Sequence, residues 1–412
     1  MLSVQEALLS VLDEVQPLPP SRSGLGEALG LVLAEEIVSD IDSPPFDKAL
    51  MDGFAVRSSD VQQGTRTLRV IEHVNAGQVP TKRLASGEAT QIMTGAPIPE
   101  GADAVVPVED TEQDQAAKLV EITVEEFQTG ANVLVRGTSA KIGEELMSAG
   151  QLLRPQELGA LAELGRHQLW IRPRPTVAVL ATGDELVPID QSPGPGQIRN
   201  SNETMLVAQI RRAGAEPVPL GIARDEPTHL RERILSGLRA DMLLLSGGVS
   251  AGQRDLVPAA LESVGVRPLF HKVNVKPGKP IWFGRLDRDR KTAPDSGETP
   301  CYVFGLPGNP VSSMVCFELF ARTALRRLRG VEPADPQPVQ AALAELHTTR
   351  GDRPVYHPAR LDRTGCGPVV TLVRWQGSAD LQGTVAANSM AHFPPGEATF
   401  AAGSAVDVIR WD

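Results

Sequence analysis

Cysteine is scarce in this sequence. Cys301, Cys316 and Cys366 lie far apart, so they offer neither a disulfide framework nor a zinc-ligand spacing. Their simplest reading is as small buried apolar residues. Aromatic residues make up only 4% of the chain, which leaves Leu, Val and Ala to fill its cores. No apolar run approaches the roughly 18 residues that a membrane helix needs. Positive charge is outweighed, and the formal net charge of −11 argues against non-specific nucleic-acid binding. The first residues, MLSVQEALLSVLDEV, are acidic and amphipathic, which does not fit a signal peptide. A full Walker motif, an HExxH helix and a GxSxG elbow are all missing. Their absence removes the P-loop NTPase, zincin and serine hydrolase classes. The expectation is a soluble cytoplasmic protein that engages neither nucleic acid nor membrane.

Turn residues, by contrast, are abundant. The 412 residues include 38 Gly and 34 Pro, with 41% hydrophobic residues, enough for packed cores. The length suggests roughly two to four domains. Residues 1–15 put Val4, Leu8, Val11 and Leu12 on one helical face, with Ser3 as a cap. From 54 to about 130, alternating apolar residues and recurrent glycine turns read as β structure. After Arg172-Pro173-Arg174-Pro175 the pattern becomes strand, turn, helix, repeated over residues 172–330. This predicts a mainly parallel, doubly wound sheet. Its last helix, in GLPGNPVSSMVCFELFARTALRRL, reads as long and amphipathic. From about 339 the pattern returns to β. The predicted division is a discontinuous mixed α/β domain (1–46 with 131–171), an inserted β domain (47–130), an α/β domain (172–330) and a β-barrel-like domain (331–412).

In an open parallel sheet, ligands bind beyond the carboxyl ends of the strands. Each α/β strand here ends in a distinctive loop. These loops carry Thr182-Gly183-Asp184-Glu185; Asp225; Ser246, Gly247, Gly248, Ser250 and Asp255; Lys276-Pro277-Gly278-Lys279-Pro280; and Pro307-Gly308-Asn309-Pro310. All five are expected on one sheet edge. Carboxylates such as Glu185, Asp225 and Asp255 are hard oxygen ligands for Mg²⁺, which commonly bridges substrate phosphates. Lys276 and Lys279 supply point charges for phosphate or another oxyanion. Each residue also has a plainer use: Asp225 fits a helix cap, Glu185 a turn acid, the lysines solvated charges. Further upstream, Asp52 lies in the loop of DKALMDGFAV, and Thr94-Gly95 in MTGAP.

The motifs PPFDKALMDGFAV, MTGAP, ATGDEL, SGGVSAGQRD, VKPGKP and GLPGNPVS, in that order, resemble the molybdopterin molybdotransferases, the MoeA and gephyrin E-domain family. The resemblance runs over essentially the whole chain. Phe54 stands where that family often has Tyr, and Asn200 where it often has Asp. The resemblance implies a MogA-like α/β domain and insertion of molybdenum from molybdate into adenylylated molybdopterin. AMP then leaves with Mg²⁺ assistance. The roles it carries over fall on Asp52, Thr94, Glu185, Asp225, Asp255, Lys276 and Lys279. It aligns Arg360 and Ser378 with residues implicated in holding molybdate beside Lys279. It also implies a homodimer whose cleft uses both subunits, with a molybdopterin adenylyltransferase and molybdoenzyme chaperones as further partners. Two alternatives remain at this point: a molybdopterin adenylyltransferase, and a non-catalytic scaffold of the gephyrin type.

Overall fold

Runs of branched aliphatic residues form the centre of the fold. The computed structural model describes residues 1–124, 127–248, 256–288 and 299–411. The runs become β1 (Thr176–Thr182), β2 (Glu216–Ala223), β3 (Met242–Ser246), β4 (Arg267–His271), β5 (Trp282–Leu286) and β6 (Cys301–Leu306). The sheet order is β2-β1-β3-β6-β5-β4. The first four strands in that order run parallel, and β5 runs antiparallel to both of its neighbours. The central strands β1, β3 and β6 are apolar and buried along nearly their whole length because both faces are covered. Val177, Val179, Leu244 and Phe304 enter one core, while Ala178, Leu180, Leu243 and Val303 enter the other.

Local chemistry starts the helices. α1 (Val4–Glu14) opens with a capping box between Ser3 and Glu6, and its buried face joins the first of these cores. α2 (Ser201–Arg212) is capped by Asn200, whose side chain accepts from the Glu203 amide. α3 (Pro227–Gly237) has a proline in its first turn, and α4 (Leu256–Ser263) follows β3. The helix expected to be amphipathic differs from that reading. α5 (Pro310–Cys316) passes through a π-helical stretch, Phe317–Ala321, into α6 (Arg322–Leu328). Every residue from Val311 to Ala321 is buried, because this helix packs in a core shared with α1, the sheet and residues of the C-terminal barrel.

That barrel is closed by β7 (Val339–Leu343), β8 (Val355–Thr364), β9 (Gly367–Leu372), β10 (Ser389–Phe393) and β11 (Ala405–Arg410), in the order β7-β9-β8-β10-β11. A three-stranded sheet of Ser21–Gly24, Gln168–Arg172 and Val32–Leu33 lies in the same compact unit, made of Met1–Ala34, Gly150–Leu158 and His167–Asp412. A second unit comprises Glu35–Ala149 and Gly159–Arg166. Its largest sheet has six strands, and its core holds Phe54, Leu68, Val106 and Val120.

Candidate functional site

Strand order fixes where a ligand can enter. β1 is followed in space by β2 on one side and β3 on the other, so the chain reverses its direction of winding between β1 and β3. Such a switch leaves a crevice at the carboxyl edge. The connection from β4 to β5 opens on the same edge, because β4 runs parallel to β6. The expected convergence of loops is therefore found in one cleft of about 1320 Å³. Its walls include Thr182, Gly183, Glu185, Asp225, Ser246, Gly247, Gly248, Lys276, Lys279, Pro307 and Asn309. Ser250 and Asp255 lie outside the described residues.

Gly247 shows why its loop needs glycine. Its φ is +99°, and a Cβ there would stand 2.6 Å from the Thr182 carbonyl oxygen. Asn202, in the first turn of α2, ties two loops together. Its Nδ2 donates to Ser246 Oγ at 2.7 Å and to the Gly308 carbonyl at 2.8 Å. Asn202 Oδ1 and Thr182 Oγ1 are buried without a hydrogen-bond partner among the described residues. Asn202 was not among the residues singled out by sequence. It sits two positions past a capping Asn, where a polar residue reads as ordinary first-turn chemistry.

The barrel contributes a further wall. Asp380 accepts from the amides of Gln376 and Gly383, both at 3.0 Å, and these bonds hold its carboxyl below the usual range. The loop so fastened presents Ser378, whose Oγ accepts from Asn309 Nδ2 at 2.9 Å. Arg353 also lines the cleft, and its Nη1 donates to the Val275 carbonyl at 3.3 Å. The backbones of Lys276, Pro354 and Tyr356 are hydrogen-bonded, which joins the lysine loop to the start of β8. Lys276 and Lys279 are exposed, with no acidic partner among the described residues. Arg353 was likewise missed by sequence. A lone arginine between Asp352 and Pro354 carries no local signal of its neighbours.

Arg360 is not brought to the cleft. It lies on the outward face of β8, is 57% exposed, and pairs with Asp362 at 3.0 Å. Outward positions alternate with inward ones, so Arg360 and Asp362 share a face while Ala359 and Leu361 enter the barrel.

Glu185 and Asp225 are the described carboxylates of the expected metal set, and both border the cleft. Glu226, rather than Asp225, occupies the cap position of α3. Among the described residues no group of three His, Cys, Asp or Glu forms a cation cage. Two carboxylates nevertheless suit Mg²⁺, which usually keeps several waters and takes its remaining oxygens from substrate phosphates.

The second unit has its own polar constellation. Asp52 Oδ1 accepts from both the amide and the hydroxyl of Thr94, each at 2.7 Å. The amide bond first, then the hydroxyl, keeps the Asp52 carboxyl below its ordinary range. Gly95 turns the chain with its amide bonded to the Ala49 carbonyl at 2.8 Å. Gly53 follows Asp52 where a Cβ would come within 2.0 Å of the Val106 carbonyl oxygen. The two motifs MDGF and MTGAP, far apart in sequence, thus meet through Asp52 and Thr94.

Models of the MoeA N-terminal region (domain I and II), of a probable molybdopterin binding domain and of the MoeA C-terminal region (domain IV) match residues 2–165, 178–327 and 340–411. A molybdopterin molybdenumtransferase of Staphylococcus aureus (strain COL) is 32% identical, covering 99% of this chain and 95% of its own. The chain belongs to the molybdopterin molybdenumtransferase family. A relative of the same description from Staphylococcus epidermidis (strain ATCC 12228) is also 32% identical over 99% of this chain and 95% of its own. Among solved structures, the molybdopterin biosynthesis moeA protein of Pyrococcus horikoshii OT3 superposes with a TM-score of 0.82, at 28% identity over 100% of both chains. The region matched by the molybdopterin binding model supplies every α/β loop of the cleft, while Ser378 and Arg353 come from the region matched by the C-terminal model.

Proposed function

We propose that this chain is a transferase that inserts molybdenum from molybdate into adenylylated molybdopterin, releasing AMP. The observation that carries this reading is the cleft at the reversal of the α/β sheet, where cationic and carboxylate side chains converge on glycine-rich turns. Family membership over the full chain supports the same substrate class.

In this reading the turn residues Thr182, Gly183, Gly247 and Gly248 accommodate the pterin and its phosphates, since glycine lets backbone N–H groups approach an anion closely. Ser246, Ser250, Pro307 and Asn309 border the same bound molecule. Lys276 and Lys279 offset its negative charge. Lys279, Arg353 and Ser378 hold molybdate: a doubly charged oxyanion suits a point charge, a planar fork and a hydroxyl donor. In a chain of net charge −11, such local cations also offset long-range repulsion of the anion. Arg353 replaces Arg360 in this assignment.

Glu185, Asp225 and Asp255 would hold Mg²⁺, which would supply charge neutralisation at the substrate phosphates. Thr94 fixes Asp52 in its ionised form, and Gly95 shapes the turn beside it. In a homodimer, the Asp52–Thr94 pair of one protomer serves the cleft of its partner. The protein is cytoplasmic and receives its substrate from a molybdopterin adenylyltransferase; molybdoenzyme chaperones take the product. Among the described residues no helix is long and apolar enough to cross a membrane.

The test is direct. Purified protein is incubated with adenylylated molybdopterin, Mg²⁺ and molybdate, and AMP and molybdenum cofactor are measured. Formation of both is expected. Formation of adenylylated molybdopterin from ATP would instead mark an adenylyltransferase. Absence of both reactions would leave only a scaffold.

A further inference from the structure

Two carboxylates can serve one cation only if the loops that carry them keep their spacing. Glu185 follows β1, Asp225 follows β2, and both border the cleft. β2 is an edge strand, and its ladder with β1 ends at the pair Thr182 with Ala223. One further backbone bond, from the Gly183 amide to the Ala223 carbonyl at 3.3 Å, joins the strand ends. The amides of Arg224 and Asp225 lie past this ladder.

A backbone N–H that leaves a ladder turns to water or to a side chain. Here both amides donate to side chains, and the two acceptors come from different elements. Asp184, between Gly183 and Glu185, accepts from the Asp225 amide through Oδ1 at 3.2 Å. His229 accepts from the Arg224 amide through Nδ1 at 3.2 Å, which puts its ring proton on Nε2.

The place of His229 explains its reach. It is the third residue of α3, a position from which a side chain can turn back toward the residues before the helix. Glu226, at the cap position of α3, makes no side-chain cap bond. The backward bond of His229 therefore fastens the loop two residues before that cap. A single exposed hydrogen bond is weak, but two on consecutive amides, from opposite sides, fix where the loop lies.

We propose that Asp184 and His229 are positioning residues that hold the Asp225 loop against the Glu185 loop, and so set this pair of carboxylates for a divalent cation. Asp184 ties the two loops directly, because it neighbours Glu185 in the chain. His229 anchors the same loop to α3. The inference rests on the reading of Glu185 and Asp225 as acids for Mg²⁺.

Five variants of the full chain test it. Asp184→Ala and His229→Phe remove the acceptors, whereas Asp184→Asn and His229→Asn keep an oxygen acceptor on the same branch of the side chain. Asp225→Ala tests the metal reading itself. Hydrogen–deuterium exchange of the metal-free chain should quicken at Arg224 and Asp225 in Asp184→Ala and His229→Phe, and stay near the parent in the two Asn variants. The half-saturating Mg²⁺ concentration for turnover should rise roughly two- to twelvefold in Asp184→Ala and His229→Phe, as expected for one lost hydrogen bond, and return toward the parent in the Asn variants. The molybdate requirement should not move. Parental exchange and a parental Mg²⁺ requirement in Asp184→Ala and His229→Phe, beside a shifted requirement in Asp225→Ala, would overturn the inference alone. Faster exchange with an unmoved Mg²⁺ requirement would reduce the clamp to a structural one and also overturn it. An unmoved requirement in Asp225→Ala would remove the metal reading, and the inference with it.

Discussion

The loop from Trp375 to Gln382 and the outward face of β8 belong to the same barrel, yet they have opposite surroundings. Ser378 in the loop is held against Asn309 of the α/β sheet edge, while Arg360 on β8 is paired with Asp362 and does not line the cleft. Both residue types suit an oxyanion. Direction separates them: a loop pinned by Asp380 can reach across to another element, whereas a strand residue is committed to one face by the pleat. An exposed pair such as Arg360–Asp362 is also worth little, about 0–1 kcal/mol.

The largest effect on the cleft side is expected from Lys279→Ala. Loss of a charge-assisted contact of about 1.5–3 kcal/mol corresponds to a roughly 10- to 150-fold rise in the molybdate concentration for half-maximal turnover. An unchanged molybdate requirement would remove Lys279 from the oxyanion site. Asn202→Ala should cost about 1–3 kcal/mol of stability, because it leaves the buried Ser246 hydroxyl, and with it the Gly308 carbonyl, without their donor. Chemical denaturation measures this, and a loss under about 0.5 kcal/mol would mean that water replaces the amide.

Mixing Asp52→Ala with Glu185→Ala subunits extends the comparison to the second unit. If the pair Asp52–Thr94 serves a partner's cleft, random exchange should restore roughly a quarter of parental activity, from heterodimers with one intact site. Silent mixtures, with exchange demonstrated by mass spectrometry, would refute that arrangement.

A smaller effect concerns pH. Burial holds His357 and His392 below the ordinary histidine range; for His357 it outweighs the hydrogen bond to the Pro358 carbonyl. The unfolded chain therefore takes up protons first as the pH drops. Stability from these neutral rings is full above about 6.5 and is lost as pH falls through that value toward the lower folded values. The thermal midpoint should fall by on the order of a degree or two more between pH 7 and pH 5.5 in the parent than in His357→Phe. Identical slopes would show that His357 does not contribute.

The α/β loops were legible in sequence because glycine and proline turns are local devices, and the sheet rule then sends them to one edge. Asp52 and Thr94 were both singled out, but not their hydrogen bonds to each other, which depend on strand pairing in the second unit. Asn202 and Arg353 were illegible for a similar reason. Their partners, Ser246 with Gly308 and the Val275 carbonyl, lie 44, 106 and 78 residues away. The near-complete burial of α5 was hidden too, because α1 and residues of the barrel share its core from opposite ends of the chain.

The central claim is that the barrel's contribution to the oxyanion comes from its cleft side, through Arg353 and Ser378. Molybdate titration of turnover in Arg353→Ala and Arg360→Ala, with adenylylated molybdopterin saturating, tests it most directly. The account predicts a roughly 10- to 150-fold weaker molybdate dependence for Arg353→Ala and a change under about twofold for Arg360→Ala. A large shift in Arg360→Ala with none in Arg353→Ala would contradict it.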